Sequence, residues 1–154
     1  MEIVKQPPTS KAPAEWFTGD VWWDVIYAGQ EPSRARANMV RFAPGGRTAW
    51  HSHSLGQTLY IVEGVALIQS RGGVLIEAHP GDIVHTPPRE EHWHGAAPDQ
   101  FMIHLALWES PGPDGGPETT WLEHVSDTDY LGPRAGTRHR PTTGGTGTAP
   151  RSAR

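Results

Sequence analysis

The chain has 154 residues, a formal net charge of −4, nine histidines and no cysteine. That length holds one ordinary hydrophobic core but not two, and without thiols any bound metal must rest on imidazole, carboxylate or amide groups. Eighteen glycines and 15 prolines, with no apolar helical period beyond about two turns, exclude a helical bundle and favour short strands joined by tight turns.

The N-terminal MEIVKQPPTSKAP lacks the apolar h-region of a signal peptide. No stretch approaches the roughly 18 apolar residues of a membrane span, so the expectation is a soluble cytoplasmic protein with no membrane partner. The charge is uneven. Arg134, Arg138, Arg140, Arg151 and Arg154 lie beyond residue 131; without these five of the 13 basic residues, eight face 17 acidic ones. An acidic body of this kind is a poor nucleic-acid surface.

Residues 1–17 read as an extended arm, since Pro7, Pro8 and Pro13 oppose a helix. Its Trp16 and Phe17 make it a candidate for exchange between subunits of a homodimer or homotetramer. Residues 18–131 follow as one β-barrel. Strands are expected at 20–27 (DVWWDVIY), 36–42 (RANMVRF), 47–53, 57–63 (QTLYIVE), 65–70 (VALIQS) and 74–78 (VLIEA). Gly72-Gly73 is expected to close a two-residue hairpin between the last two. Further strands are expected at 83–86 (IVHT), 91–95 and 101–108 (FMIHLALW), with a short closing helix or strand within 118–130. About nine such strands at this spacing suit a sandwich or barrel. Residues 132–154, rich in Gly, Pro, Thr and Arg, are expected to form a disordered tail.

The histidines carry the chemistry. His51 and His53 are two apart on an expected strand, so both leave the same face, and His92 and His94 repeat the pattern. Two imidazole pairs, each following a Gly/Pro turn, fit a preformed site for a first-row divalent metal.

The spacing around these residues resembles that of a known family. Gly45, His51-x-His53, Gln57 and Gly64 resemble the first motif of the cupins; Pro80-Gly81-Asp82, Pro87 and His92 resemble the second. The resemblance implies an all-β double-stranded β-helix, or jelly roll, with one metal on His51, His53, Gln57 and His92. Three positions depart from the usual pattern: Gln57 stands for a glutamate, Arg89 for a glycine and Ala96 for an asparagine. The strings RTAWHSHSLGQTLYIVEG, HPGDIV, EEHWHGAAP and WLEHVSDTDY are similar to small bacterial manganese cupins with hydroxynitrile lyase activity, over about residues 1–130. In that subgroup glutamine also occupies the fourth ligand position. The resemblance implies manganese first, with Fe2+, Ni2+ or Zn2+ as alternatives.

Strand parity extends the site. Arg41 is expected to point outward, which turns Asn38, Val40 and Phe42 inward. On 101–108 the apolar set Phe101, Ile103, Leu105 and Leu107 is expected to pack between sheets or against a partner. Met102, His104, Ala106 and Trp108 then face the cavity. The resemblance places a catalytic histidine at His104, and His94 shares the face of His92. Asn38, Val40, Phe42 and Trp108 are the expected substrate pocket. His79, His85 and His124 read as surface or structural residues.

An amide in place of a carboxylate leaves three imidazoles and a divalent ion at net +2, which favours anionic ligands and disfavours a trivalent ion. The charge favours Lewis-acid over redox chemistry, and the resemblance to the hydroxynitrile lyase cupins then implies reversible cleavage of an α-hydroxynitrile to a carbonyl compound and cyanide. The alternatives are a metal-dependent dioxygenase or isomerase on a small carbonyl or aromatic compound, and a non-catalytic metal or small-molecule binding cupin.

Overall fold

The computed structural model describes residues 1–134. In chain order the strands are β1 (Ser10–Lys11), β2 (Phe17–Thr18), β3 (Val21–Tyr27), β4 (Ala35–Phe42), β5 (Arg47–Thr48), β6 (His51–His53) and β7 (Gln57–Gly64). Then come β8 (Ala66–Ser70), β9 (Ile76–Ala78), β10 (Ile83–Thr86), β11 (His92–Ala96), β12 (Met102–Glu109) and β13 (Thr119–Trp121), and a single-turn helix α1 (Asp127–Tyr130).

One sheet runs β1-β3-β4-β12-β7-β10. The other runs β13-β6-β11-β5-β2, with β8 pairing β11 and β9 pairing β8. All the strand pairs are antiparallel, and the two curled sheets face each other as a jelly-roll barrel. Alternation decides what each face carries. Val40, Phe42, Leu59, Ile61, Ala66, Ile68 and Met102 fill one end of the barrel interior. The other end is left to the histidines.

The back of the second sheet has its own core. On β11 the side chains of His92 and His94 point inward, so Trp93 points outward, and it is nevertheless fully buried. Trp50, Leu67, Leu75, Val125 and Tyr130 cover it. Ser126 caps α1, and the Tyr130 hydroxyl donates to Ala96 O at 2.7 Å. Arg47 lies over the Tyr130 ring at 4.4 Å and pairs with Asp127 at 2.7 Å. The strand carrying His92 and His94 is thus clamped from behind.

Several expectations are corrected. The strand expected at 47–53 breaks at Ala49-Trp50, because Trp50 exchanges backbone hydrogen bonds with Leu122 and Glu123 instead. Gly72-Gly73 does not close a two-residue hairpin. The last β8–β9 pair is Ile68 opposite Ile76, while Gln69 and Ser70 pair with Trp93 and His92 on β11, so a wider loop intervenes. The set Phe101, Ile103, Leu105 and Leu107 does not pack between sheets. It lies on the outer face of the first sheet, where Phe101 and Leu107 are exposed. Between residues 118 and 130 the chain forms both a strand and a helix.

Within this chain, residues 10–18 pair with β3 and β5. Leu75 bridges Arg134, whose guanidinium pairs with Glu77. The remainder of the tail expected to be disordered, 135–154, lies outside the described residues. Among the described residues no helix is long and apolar enough to cross a membrane.

Candidate metal centre

β6 and β11 are neighbours, and His51 stands directly opposite His92. With His53 two residues on, three imidazoles offer ring nitrogens that all lie within 4.8 Å of one another, and all three side chains are buried. Ligand atoms about 2.1 Å from a common ion stand roughly 3.0–4.2 Å apart, so modest adjustment suffices to share one ion.

The hydrogen bonds behind the rings sharpen this. His51 Nδ1 donates to Ala49 O at 3.0 Å, the carbonyl freed by the break before β6, and His92 Nδ1 donates to Glu90 O at 3.0 Å. Carbonyl oxygens only accept, so each ring carries its proton on Nδ1 and presents Nε2 as a bare lone pair. His53 Nδ1 meets Thr119 Oγ1 at 3.2 Å, and His53 Nε2 is buried with no partner. Gln57 Oε1 lies 3.0 Å from His92 Nε2. In this orientation the amide oxygen and the His92 Nε2 lone pair face each other with no proton between them. A shared cation resolves the conflict, and the residues present fit a divalent metal held by His51, His53, His92 and Gln57.

Gln57 reaches the site because Gly56 turns the chain with φ +85°, where a Cβ would come within 2.7 Å of Thr86 O. Burial holds all three imidazoles neutral. It is the largest cause for His53, lowered to about 3, and it also lowers His51 and His92, which suits them as ligands.

His94 and His104 form a second pair in the same interior. His94 Nδ1 and His104 Nε2 are 3.1 Å apart; His94 Nε2 and His104 Nδ1 are buried and unpartnered. Burial lowers both, His104 to about 3. One proton therefore bridges two neutral rings, an arrangement that can accept or return a proton. Thr48 holds the backbone of His94, and the ring of Phe42 packs against both imidazoles.

His51, His53, Gln57, His94 and His104 line a cavity of about 200 Å³. Asn38, Val40 and Trp108 are on its wall, as parity implied. Phe42 is not; it lies behind His94 and His104, fully buried in the core. Sequence reasoning missed Trp16, Trp23, Thr48, Thr119 and Trp121, which also line the cavity. Trp16 stacks on Trp121 with ring centroids 5.1 Å apart, and Trp121 packs on His51 at 4.8 Å. Glu118 accepts from Arg36 and from the Trp108 indole. Burial raises its pKa, but the bonds from Arg36, Trp108 and Ser110 outweigh that and hold it below the ordinary value. The aromatic run at 16–17 was a visible signal; nothing in the sequence showed that 118–121 returns to β6. His79, His85 and His124 are exposed and away from this cavity.

The same residues define the chain's relationships. The model of the cupin domain matches residues 38–108, from the cavity wall at Asn38 to Trp108. The chain is 46% identical over 132 residues to a protein named (R)-mandelonitrile lyase from Granulicella tundricola, covering 84% of this chain and 98% of that protein. A crystal structure of a cupin-like protein from Thermotoga maritima superposes with a TM-score of 0.75 at 33% identity, over 89% of this chain and all of that one. The polyketide cyclase RemF from Streptomyces resistomycificus shares the fold, with a TM-score of 0.63 at 18% identity over 85% of this chain and 91% of that one. A jelly roll with His51, His53, Gln57 and His92 converging inside it, together with these matches, shows that the chain belongs to the cupin family.

Proposed function

We propose that this cupin is a hydroxynitrile lyase that cleaves small α-hydroxynitriles, reversibly, into a carbonyl compound and hydrogen cyanide. The observation that carries the reading is the pairing, in one cavity, of a neutral ligand set with the proton-bridged pair His94–His104. The 46% identity to a protein named (R)-mandelonitrile lyase supports the same chemistry.

A divalent metal, manganese first and Fe2+, Ni2+ or Zn2+ otherwise, supplies electrostatic stabilisation of negative charge developing on the substrate oxygen. The chain supplies the rest. An unprotonated nitrogen of the His94–His104 pair takes the hydroxyl proton. The carbon–carbon bond to the nitrile then breaks, its electron pair leaving with cyanide as the carbonyl double bond forms. The protonated pair returns its proton to cyanide, so hydrogen cyanide departs and both rings end neutral. Because burial keeps these rings uncharged at rest, they begin the cycle as bases. The indoles and Val40 exclude water, which strengthens the charge interactions inside.

The test is mandelonitrile cleavage by metal-loaded and chelator-stripped protein, followed by benzaldehyde release, with an oxygen electrode in parallel. Benzaldehyde without oxygen consumption supports the lyase. Oxygen uptake with a diketone or phenol and no cleavage would favour a dioxygenase.

The outer face of the first sheet supports a homodimer or homotetramer. Met39, Leu105, Tyr60 and Ile83 are direct cross-strand neighbours over four strands, and Tyr60 and Ile83 are exposed. A contiguous apolar patch of this kind is a usual site of association.

A further inference from the structure

The row of side chains beside the metal ligands contains an ion pair with no part in the chemistry above. On the inner face, Trp108 of β12 stands directly opposite Arg36 of β4 on one side and Gln57 of β7 on the other. Its indole therefore separates a guanidinium from the amide ligand. The ring of Trp108 also lies 5.9 Å from that of His53, at 43°. Glu118 bridges above this row. Its Oε2 accepts from the Trp108 indole N–H at 3.1 Å and from Arg36 Nε at 3.3 Å, and its Oε1 accepts from the other end of the Arg36 fork at 2.8 Å.

We propose that Arg36 and Glu118 are positioning residues that lock the Trp108 indole as a flat wall of the cavity, so that Trp108 selects an aryl over an alkyl carbonyl partner. The inference rests on the lyase reading only for the identity of the reaction. Its physical basis is separate. Trp108 is partly buried, and an indole N–H withdrawn from water without an acceptor is destabilising. The Glu118 carboxylate supplies that acceptor. Arg36 holds the carboxylate by two parallel bonds, a geometry that fixes its plane as well as its position. With the N–H tied, the ring cannot turn about its side-chain bonds, and its face stays presented to the cavity.

Offset stacking or edge contact on such a face is worth about 0.5–1.5 kcal/mol beyond area burial, and only an aromatic ligand gains it. The cavity of about 200 Å³ exceeds the roughly 150 Å³ known to admit benzene, so an aryl ring fits beside the ligands. The chain path supports a positioning role too. Glu118 directly precedes Thr119, which holds His53, and the Glu118 carbonyl accepts from Ser54 N at 3.1 Å. The carboxylate therefore stands on backbone already anchored to the metal-bearing strand.

The experiment measures calorimetric binding of benzaldehyde and of propanal to manganese-loaded parent, Glu118→Ala, Glu118→Gln, Trp108→Phe and the Trp108→Phe/Glu118→Ala double variant. Metal content and kcat and KM for mandelonitrile are read on the same samples. Glu118→Ala should weaken benzaldehyde about three- to ten-fold and leave propanal within about two-fold. Metal content should not change, and the loss should appear in KM more than in kcat. Glu118→Gln, which keeps an oxygen for the indole, should recover most of the preference. In the Trp108→Phe background, Glu118→Ala should add nothing. Equal weakening of both aldehydes, or full additivity in the double variant, would overturn the inference. Should Glu118→Ala not fold, Trp108→Phe decides: replacing the tethered indole with a smaller ring that has no N–H must reproduce the loss of aryl preference, and an unchanged preference overturns it. Parent protein that prefers benzaldehyde yet leaves mandelonitrile uncleaved would sink the lyase reading and not this one.

Discussion

Gln57 is the residue on which the proposed chemistry turns. An amide carries no charge to offset the metal's, so the open positions of the site should attract anions. A carboxylate in its place would put one negative charge beside those positions, an interaction of about 4 kcal/mol at 4 Å in an effective dielectric of 20. Gln57→Glu should keep the metal, bind cyanide or azide at least about tenfold more weakly and cleave mandelonitrile more slowly. Anion titration of parent and variant at matched occupancy checks this, and electrochemistry should show easier oxidation of bound manganese or iron. His104 is tested separately. His104→Gln retains a polar group of similar reach but cannot take up a proton, so turnover should fall about 10²–10⁴-fold while metal content stays the same. The shared faces of His51 with His53 and of His92 with His94 could be read from their two-residue spacing, the cupin resemblance singled out His51, His53 and His92, and the structure brings these three together. Glu118 and Arg36 could not be read. Acid and base 82 positions apart carry no local signal.

At the scale of elements, β11 does two jobs on two faces. His92 and His94 face the barrel interior while Trp93 anchors the strand in the rear core. Gly95 completes the arrangement by letting β5 come close, since a Cβ there would lie 2.5 Å from Gly46 O and 2.6 Å from Arg47 Cβ. Gly95→Ala should therefore force β5 from β11 and cost about 1–3 kcal/mol, with weaker metal retention because His92 shares the strand. Denaturant midpoints and metal analysis of the variant measure both effects. The sequence displayed most of the longer strands, since aromatic and β-branched runs between Gly/Pro turns have few other uses. The two-residue strands β1 and β2 escaped notice, and β13 is expected only as a short helix or strand somewhere within 118–130. Each is too short for a period and depends on the paired edge of another strand, near in sequence for β1 and distant for β2 and β13.

For the molecule as a whole, the buried histidines couple stability to acidity. His53 and His104 are lowered to about 3, burial being the largest cause for each, and His51, His92 and His94 are lowered too. Unfolded, these rings titrate near their ordinary value of 6.5. Between about 3 and 6.5 the unfolded chain binds more protons than the folded one, so stability is fully present above 6.5 and falls as pH drops through that window. Metal-free protein should show a lower urea midpoint at about pH 5 than at about pH 7.5, and the same protein with metal should release it over the acid range. Association belongs to this scale as well: sedimentation at micromolar concentration should give a dimer or tetramer, and Tyr60→Glu on the outer face should shift it toward monomer.

The most direct measurement is a titration of metal-free protein with manganese, following mandelonitrile cleavage and bound metal together, with His92→Ala alongside. Cleavage should rise in proportion to bound metal and level off at one equivalent per chain. His92→Ala, lacking the ligand that joins β6 to Gln57, should bind little and cleave little. Cleavage at full rate before metal is added, or by His92→Ala without metal, would contradict the proposal that His51, His53, Gln57 and His92 hold the metal for the lyase reaction.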